Sequence, residues 1–185
     1  MTQIYLLRHG QTDWNLQGRW QGHADIPLNA VGLEQAVRLA QTLSACGLQA
    51  IYASDLQRAR QTAEALAQVT GLSVVVDARL REVNQGEWQG LPMAEIRQRY
   101  RRGYQDLKDP TLFAPPGGES LRQLCDRLLS SIQEIAIHHP DQRVAVVSHG
   151  FAVAVLLAHF QELPLMQAWE MIPRNEEWHV LQINR

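Results

Sequence analysis

Two segments of the sequence end alike. Ile4-Tyr5-Leu6-Leu7-Arg8-His9-Gly10 and Val144-Ala145-Val146-Val147-Ser148-His149-Gly150 each run from an apolar strand-like stretch into His-Gly. In open α/β sheets a ligand lies beyond the carboxyl ends of the strands, so two neighbouring parallel strands of this kind would present His9 and His149 side by side. Glycine after each histidine allows close approach of the backbone to a ligand. The helical pattern that begins near Phe151 would aim free N–H groups and the positive end of a helix dipole at an anion. A lone His-Gly, by contrast, fits a hydrogen-bonded strand end better than a site, and only the pairing together with Arg8 balances the two readings.

Further strand-like runs at Ala50 to Ala53, Val74 to Val76 and Trp178 to Ile183 alternate with helical patterns. Apolar residues return every three or four positions over Ala30 to Ala45, Leu56 to Val69, Met93 to Tyr100, Ser120 to His138 and Phe151 to Phe160. This alternation predicts a layered α/β fold with at least part of its sheet parallel. Gly47 and Gly71 sit where helix C-caps are expected, and Ser120-x-x-Gln123 resembles a capping box. The Pro/Gly-rich stretch from Gly103 to Gly118 reads as a surface loop and a candidate cover for a site. With 185 residues, no internal repeat and no linker, residues 1–185 are expected to form one domain.

The net charge of -2 argues against a broad nucleic-acid footprint, so any basic site must be local. Lys108 is the only lysine, and arginine, suited to bidentate phosphate or carboxylate contact, supplies the other cations. Cys46 and Cys125 lack any C-x-x-C partner, which fits a reducing cytoplasm and points to no structural metal. The N-terminus has no basic n-region or cleavage site, and the longest apolar run, Phe151 to Ala158, is too short to span a bilayer. The expectation is a cytoplasmic protein without a membrane partner.

A third strand end adds to the histidine pair. Ser54-Asp55-Leu56-Gln57-Arg58-Ala59-Arg60-Gln61-Thr62-Ala63 follows a strand and opens a helix, so Arg58 can point into the same crevice. Arg60, two residues on, lies on another face and reads as solvated. Glu82 fits either a site or an ion pair with Arg79 or Arg81, and Trp14, Trp20 and Trp88 read as core or pocket wall. Rival phosphate chemistries lack their signatures. Lys108 has no P-loop neighbours, neither cysteine precedes a Gly-rich loop closed by arginine, no Gly-x-Ser-x-Gly elbow occurs, and no carboxylate cluster marks a two-metal site.

The sequence resembles the histidine phosphatase superfamily, the phosphoglycerate mutase-like proteins, over nearly its whole length. The resemblance rests on Leu7-Arg8-His9-Gly10-Gln11-Thr12-x-Trp14-Asn15, Gln21-Gly22, Ser54-x-Leu56-x-Arg58-Ala59-x-Gln61-Thr62-Ala63, Leu80-Arg81-Glu82 with Gly86-x-Trp88-x-Gly90, Pro116-Gly117-Gly118-Glu119-Ser120 and Ser148-His149-Gly150. It implies an α/β fold, a three-layer α/β/α sandwich with a mostly parallel central sheet, with His9 as the phosphorylated nucleophile, attacking in its neutral state, and Glu82 as proton donor. It also implies that Arg8, Arg58, His149, Asn15, Gln21 and Gly22 line the phosphate pocket, with Gly150 beside them. Arg8, Arg58, a cationic His149 and nearby N–H donors would stabilise the transferring group without a metal or other cofactor.

Within that family, mutases are typically longer and read Glu-Arg-His-Tyr-Gly after the proton donor. Here Glu82-Val83-Asn84-Gln85-Gly86-Glu87-Trp88 looks like the phosphatase branch. Hydrolysis of small phosphomonoesters is therefore the main expectation, phosphoglycerate mutase activity the alternative, and a binding module that lost catalysis the rival of a different class. The expected partner is a small phosphorylated metabolite, and specificity is expected from Gln85 to Tyr100 and Gly103 to Glu119. The sequence leaves the oligomeric state open, a homodimer included.

Overall fold

The computed structural model describes residues 1–105 and 107–184. The strand-like runs become β1 (Thr2–Arg8), β2 (Ala50–Ala53), β3 (Val74–Val76), β4 (Arg143–Ser148) and β5 (Trp178–Ile183), joined in one sheet of order β3-β2-β4-β1-β5. The first four strands run parallel, and β5 closes one edge antiparallel to β1. Because side chains alternate across a sheet, each strand feeds two cores. Ile4, Leu6, Val144 and Val146 enter one, while Tyr5, Leu7, Ala145, Val147, Ile51 and Ala53 enter the other.

Helices cover both faces. α1 (Asp13–Leu16) is a single turn after β1, too short for a periodic signal. α2 (Ala30–Leu43) and α3 (Gln57–Thr70) pack together over the second core through Leu39, Leu43, Ala63 and Leu66. α4 (Met93–Tyr104), α5 (Leu121–His138) and α6 (Gly150–Phe160) serve the first core. α6 is buried from Gly150 to Ala158, which accounts for its apolar residues on every side. The result is an α/β fold with a mostly parallel five-stranded sheet between helical layers. Among the described residues no helix is long and apolar enough to cross a membrane.

The local signals act where expected. Gly47 and Gly71 adopt φ of 64° and 72° at helix ends, and Ser120 and Gln123 form both bonds of the capping box. The stretch from Gly103 to Gly118 differs from a covering loop. α4 continues through Gly103, where an added Cβ would lie 2.1 Å from the Phe113 ring. Pro110–Leu112 forms a 3-10 turn, and Asp106 lies outside the described residues. The turn that follows packs against the segment after Glu82: Glu87 N donates to Pro116 O at 3.0 Å and Glu119 N to Asn84 O at 3.0 Å. It is a buttress, because backbone-to-backbone bonding there leaves no gap for a substrate.

Gly86 shows how tight that seam is. Its φ is +50°, and an added Cβ would lie 2.0 Å from Pro116 O. Gly86→Ala is expected to cost about 1–3 kcal/mol through overpacking against backbone, read as a lower urea midpoint at unchanged m-value.

Candidate active site

Pairing of β1 with β4 in the register Arg8↔Ser148 sets the first residues past both strands side by side. The rings of His9 and His149 lie 5.2 Å apart, tilted by 62°. His9 Nδ1 contacts Gly10 O at 2.6 Å, and since a carbonyl only accepts, this bond assigns the proton to Nδ1. Nε2 is then the nitrogen with a lone pair. Burial, reinforced by the Arg58 and Arg8 guanidiniums, holds the His9 pKa well below the usual imidazole value. His9 is therefore neutral at neutral pH.

Arg58 opens α3 from the end of β2 and is fully buried. Its NH2 group donates to Gly22 O at 2.8 Å, its NH1 group to Ala24 O at 2.7 Å, and its Nε to His149 Nδ1 at 3.2 Å. Burial lowers its pKa to about 10, which still leaves it cationic at neutral pH. Arg8 donates to Pro173 O, and its buried Nε has no protein partner. Burial lowers its pKa as well, against the opposing pull of Glu82 and Glu177.

His149 departs from the cationic expectation. With Arg58 donating to Nδ1, its proton lies on Nε2, which contacts Ser54 Oγ at 2.8 Å. Burial first, then Arg58, His9, Arg127 and His23, hold its pKa well below the usual value, so the resting ring is neutral. A buried cation next to Arg58 would meet both a desolvation cost and like-charge repulsion.

The N-terminus of α6 departs as well. Two of its N–H groups already have an acceptor, the carboxyl group of Glu82. Oε2 accepts from Phe151 N at 3.0 Å, and Oε1 accepts from Ala152 N at 3.0 Å and Val83 N at 2.9 Å. This is the arrangement favoured at a helix start, with an internal carboxylate in the ligand's place. Arg79 pairs with Asp77 and Glu134, and Arg81 with Asp55, so neither claims Glu82. Arg60 faces solvent beside Glu64.

These residues border a cleft of about 380 Å³. Of the residues singled out in the sequence, Arg8, His9, Asn15, Gln21, Arg58, Glu82 and Gly150 line it, while His149 and Gly22 stand behind and hold Arg58. Asn15 Oδ1 is occupied by Thr12 N and Thr12 Oγ1, both bonds of the α1 start, so its amide group is what it offers a ligand. Three guanidiniums, those of Arg8, Arg19 and Arg58, border the cleft against the single carboxylate of Glu82. Trp20, Met93, Phe151 and Ile172 supply its apolar wall. Among the described residues no group of three or more His, Cys, Asp or Glu is placed to hold a metal ion.

Sequence reasoning missed four contributors. Ser54 stood inside a quoted motif, but its bond to His149 depends on β2 lying beside β4. Asn175 donates to His9 O at 3.0 Å, and Ile172 reaches the cleft, both from a C-terminal segment without periodic pattern. Arg19 was overlooked although it lies two residues before Gln21.

The sequence profile of the histidine phosphatase superfamily, branch 1, matches residues 4–185. The chain belongs to this superfamily. It is 35% identical over 176 residues to the probable phosphoglycerate mutase GpmB of Shigella boydii, covering 95% of this chain and 82% of that protein. Among solved structures, a mycobacterial glucosyl-3-phosphoglycerate phosphatase in complex with VO3 superposes with a TM-score of 0.85 at 35% identity, over 97% of this chain and 90% of that one. The α-ribazole phosphatase of Shigella flexneri superposes with a TM-score of 0.83 at 27% identity, over 99% and 91%. The residues that the resemblance points to line one cleft or stand in the layer behind it.

The two depressed histidines tie stability to pH. Unfolded, each takes up a proton near 6.5; folded, each stays neutral to lower pH, so the unfolded state binds more protons as pH falls. Their contribution is present above 6.5 and lost below it, with a limiting slope from the pair of about 2.7 kcal/mol per pH unit. Denaturant titrations at stepped pH in wild type and His149→Phe will check it: removing one histidine should flatten the acid-side slope by up to half.

Proposed function

We propose that the chain is a metal-independent phosphatase that hydrolyses small phosphomonoesters through a phosphohistidine on His9. The observation that carries this reading is a neutral, buried imidazole with Nδ1 tied to Gly10 O, bordering a cleft whose cations are arginines. Such a ring is a nucleophile held in one tautomer and one orientation. Arg8 and Arg58 face the equatorial oxygens of a phosphoryl group, where developing charge is stabilised by donors that are already in place.

In the first half-reaction, His9 Nε2 forms the N–P bond while the ester P–O bond breaks. Glu82 takes up a proton from the monoprotonated phosphate ester as it binds and passes it to the departing oxygen, which leaves as an alcohol. In the second, Glu82 accepts a proton from water as the water oxygen attacks phosphorus, and the N–P pair returns to Nε2. His149, neutral at rest and bonded to Arg58, keeps that guanidinium turned toward the cleft. The apolar wall of Trp20, Met93, Phe151 and Ile172 receives the leaving group and shields the phosphoryl group from bulk water. Glucosyl-3-phosphoglycerate and α-ribazole phosphate, the substrates named for the relatives above, set the size range to test.

A second reading is phosphoglycerate mutase activity, favoured by the relative that carries that name. The two share the phosphohistidine and differ in whether water or a second hydroxyl receives the phosphoryl group.

Phosphate release from p-nitrophenyl phosphate and a panel of phosphomonoesters, with EDTA present, tests the proposal in wild type and His9→Ala. Release that survives EDTA and falls by at least about 10³-fold in the variant is the expected outcome, since the covalent route has no substitute nucleophile. Isomerisation of 3-phosphoglycerate without phosphate release would replace it with the mutase reading.

A further inference from the structure

The mechanism needs the Glu82 carboxylate at one point in space, yet Glu82 sits on irregular chain between a 3-10 turn, Ala78–Leu80, and the seam at Gly86. No strand ladder fixes that segment. What holds it is Arg127, on α5. Its NH1 group donates to Arg79 O at 2.7 Å and Arg81 O at 2.8 Å, and its NH2 group to Glu82 O at 2.7 Å and Glu119 Oε1 at 2.5 Å. Its Nε donates to Glu119 Oε2 at 2.9 Å. All five N–H donors of the guanidinium are thereby engaged. Glu119 in turn accepts from Asn84 N at 2.7 Å, and His23 Nε2 contacts Glu82 O at 2.9 Å from the other side.

We propose that Arg127, clamped by Glu119, is the positioning residue for proton transfer by Glu82. The chain's direction at residues 79–84 is set by three carbonyls converging on one planar guanidinium, a geometry lysine's single ammonium cannot copy. Glu119 neutralises the largely buried guanidinium and extends the brace to Asn84, so the carboxylate of Glu82 lands on the first amides of α6. The inference rests on the proposed role of Glu82. It adds that a pair of residues outside the cleft determines how well the leaving group is protonated.

The chemistry separates this from a merely structural role. Nitrophenolate departs without a proton, whereas an alkoxide requires one. In Arg127→Met and Glu119→Gln, kcat/KM for an alkyl ester such as glycerol 1-phosphate, which reports the steps through departure of the alcohol, should fall at least about tenfold. On p-nitrophenyl phosphate kcat/KM should stay within about threefold, because His9, Arg8 and Arg58 are untouched and the water-attack step, in which Glu82 is the base for either ester, does not enter that ratio. Arg127→Lys, which keeps charge and fewer donors, should fall between wild type and Arg127→Met on the alkyl ester. An equal loss on both esters would overturn the proposal.

A second readout needs no turnover. Hydrogen exchange at the Phe151 and Ala152 amides, which donate to Glu82, should speed up by at least about tenfold in the folded variants, with Leu39 and Leu66 unchanged. Unaltered exchange at Phe151 and Ala152 would show that Arg127 does not hold Glu82 and would sink the inference by itself. If the wild type hydrolysed neither ester, the phosphatase reading would fail, while the exchange data would still decide whether the brace exists.

Discussion

Everything in the site depends on the parallel pairing of β1 with β4. Ile4↔Val144 through Leu7↔Val147 is a continuous register of buried residues that carries on to Arg8↔Ser148, and slipping it by one would turn each strand's inward side chains to the opposite core. That packing constraint, more than any contact between the histidines, puts His9 beside His149. β2 pairs with the far side of β4, which brings Ser54 and the start of α3 to the same edge. Arg58 can be fully buried because the loop at Gly22 and Ala24 meets it with two carbonyls and His149 with a ring nitrogen.

Burial and charge then act together. Burial first, and then arginines that keep their protons at neutral pH, leave the imidazoles neutral, so that the proposed nucleophile needs no dedicated base. The same excess of cations attracts an anion. The Glu82 carboxyl group sits on the α6 amides of Phe151 and Ala152, where dipole and hydrogen bonds favour an acceptor. The proposed proton donor and the helix start are thus one structural unit, and Arg127 fixes it to α5.

The relatives divide between phosphatase and mutase names, and the site explains why sequence likeness alone does not separate them. In the proposed chemistry a phosphohistidine, the arginines and Glu82 would serve either reaction. The acceptor differs, and that depends on the cleft wall and on what closes it. Here the turn from Pro115 to Gly118, expected to cover the site, packs instead against Asn84 to Glu87.

The sequence by itself determined the elements and their ends. Strand runs, helix periods, the Ser120 capping box and the glycine caps at Gly47 and Gly71 follow from interactions within a few residues, so they are legible without a fold. Family motifs also named His9, Arg8, Arg58 and Glu82 as residues that meet. Only the tertiary structure decided their states: that His149 is neutral, that Gly22 offers a carbonyl to Arg58 and no cleft surface, that Glu82 occupies α6, and that Arg127 holds Glu82. These depend on partners far apart in the chain, 69 residues for Glu82 and Phe151, 45 for Arg127 and Glu82. Protonation and hydrogen-bond occupancy are set by local dielectric and neighbouring charge, which exist only once the layers have packed.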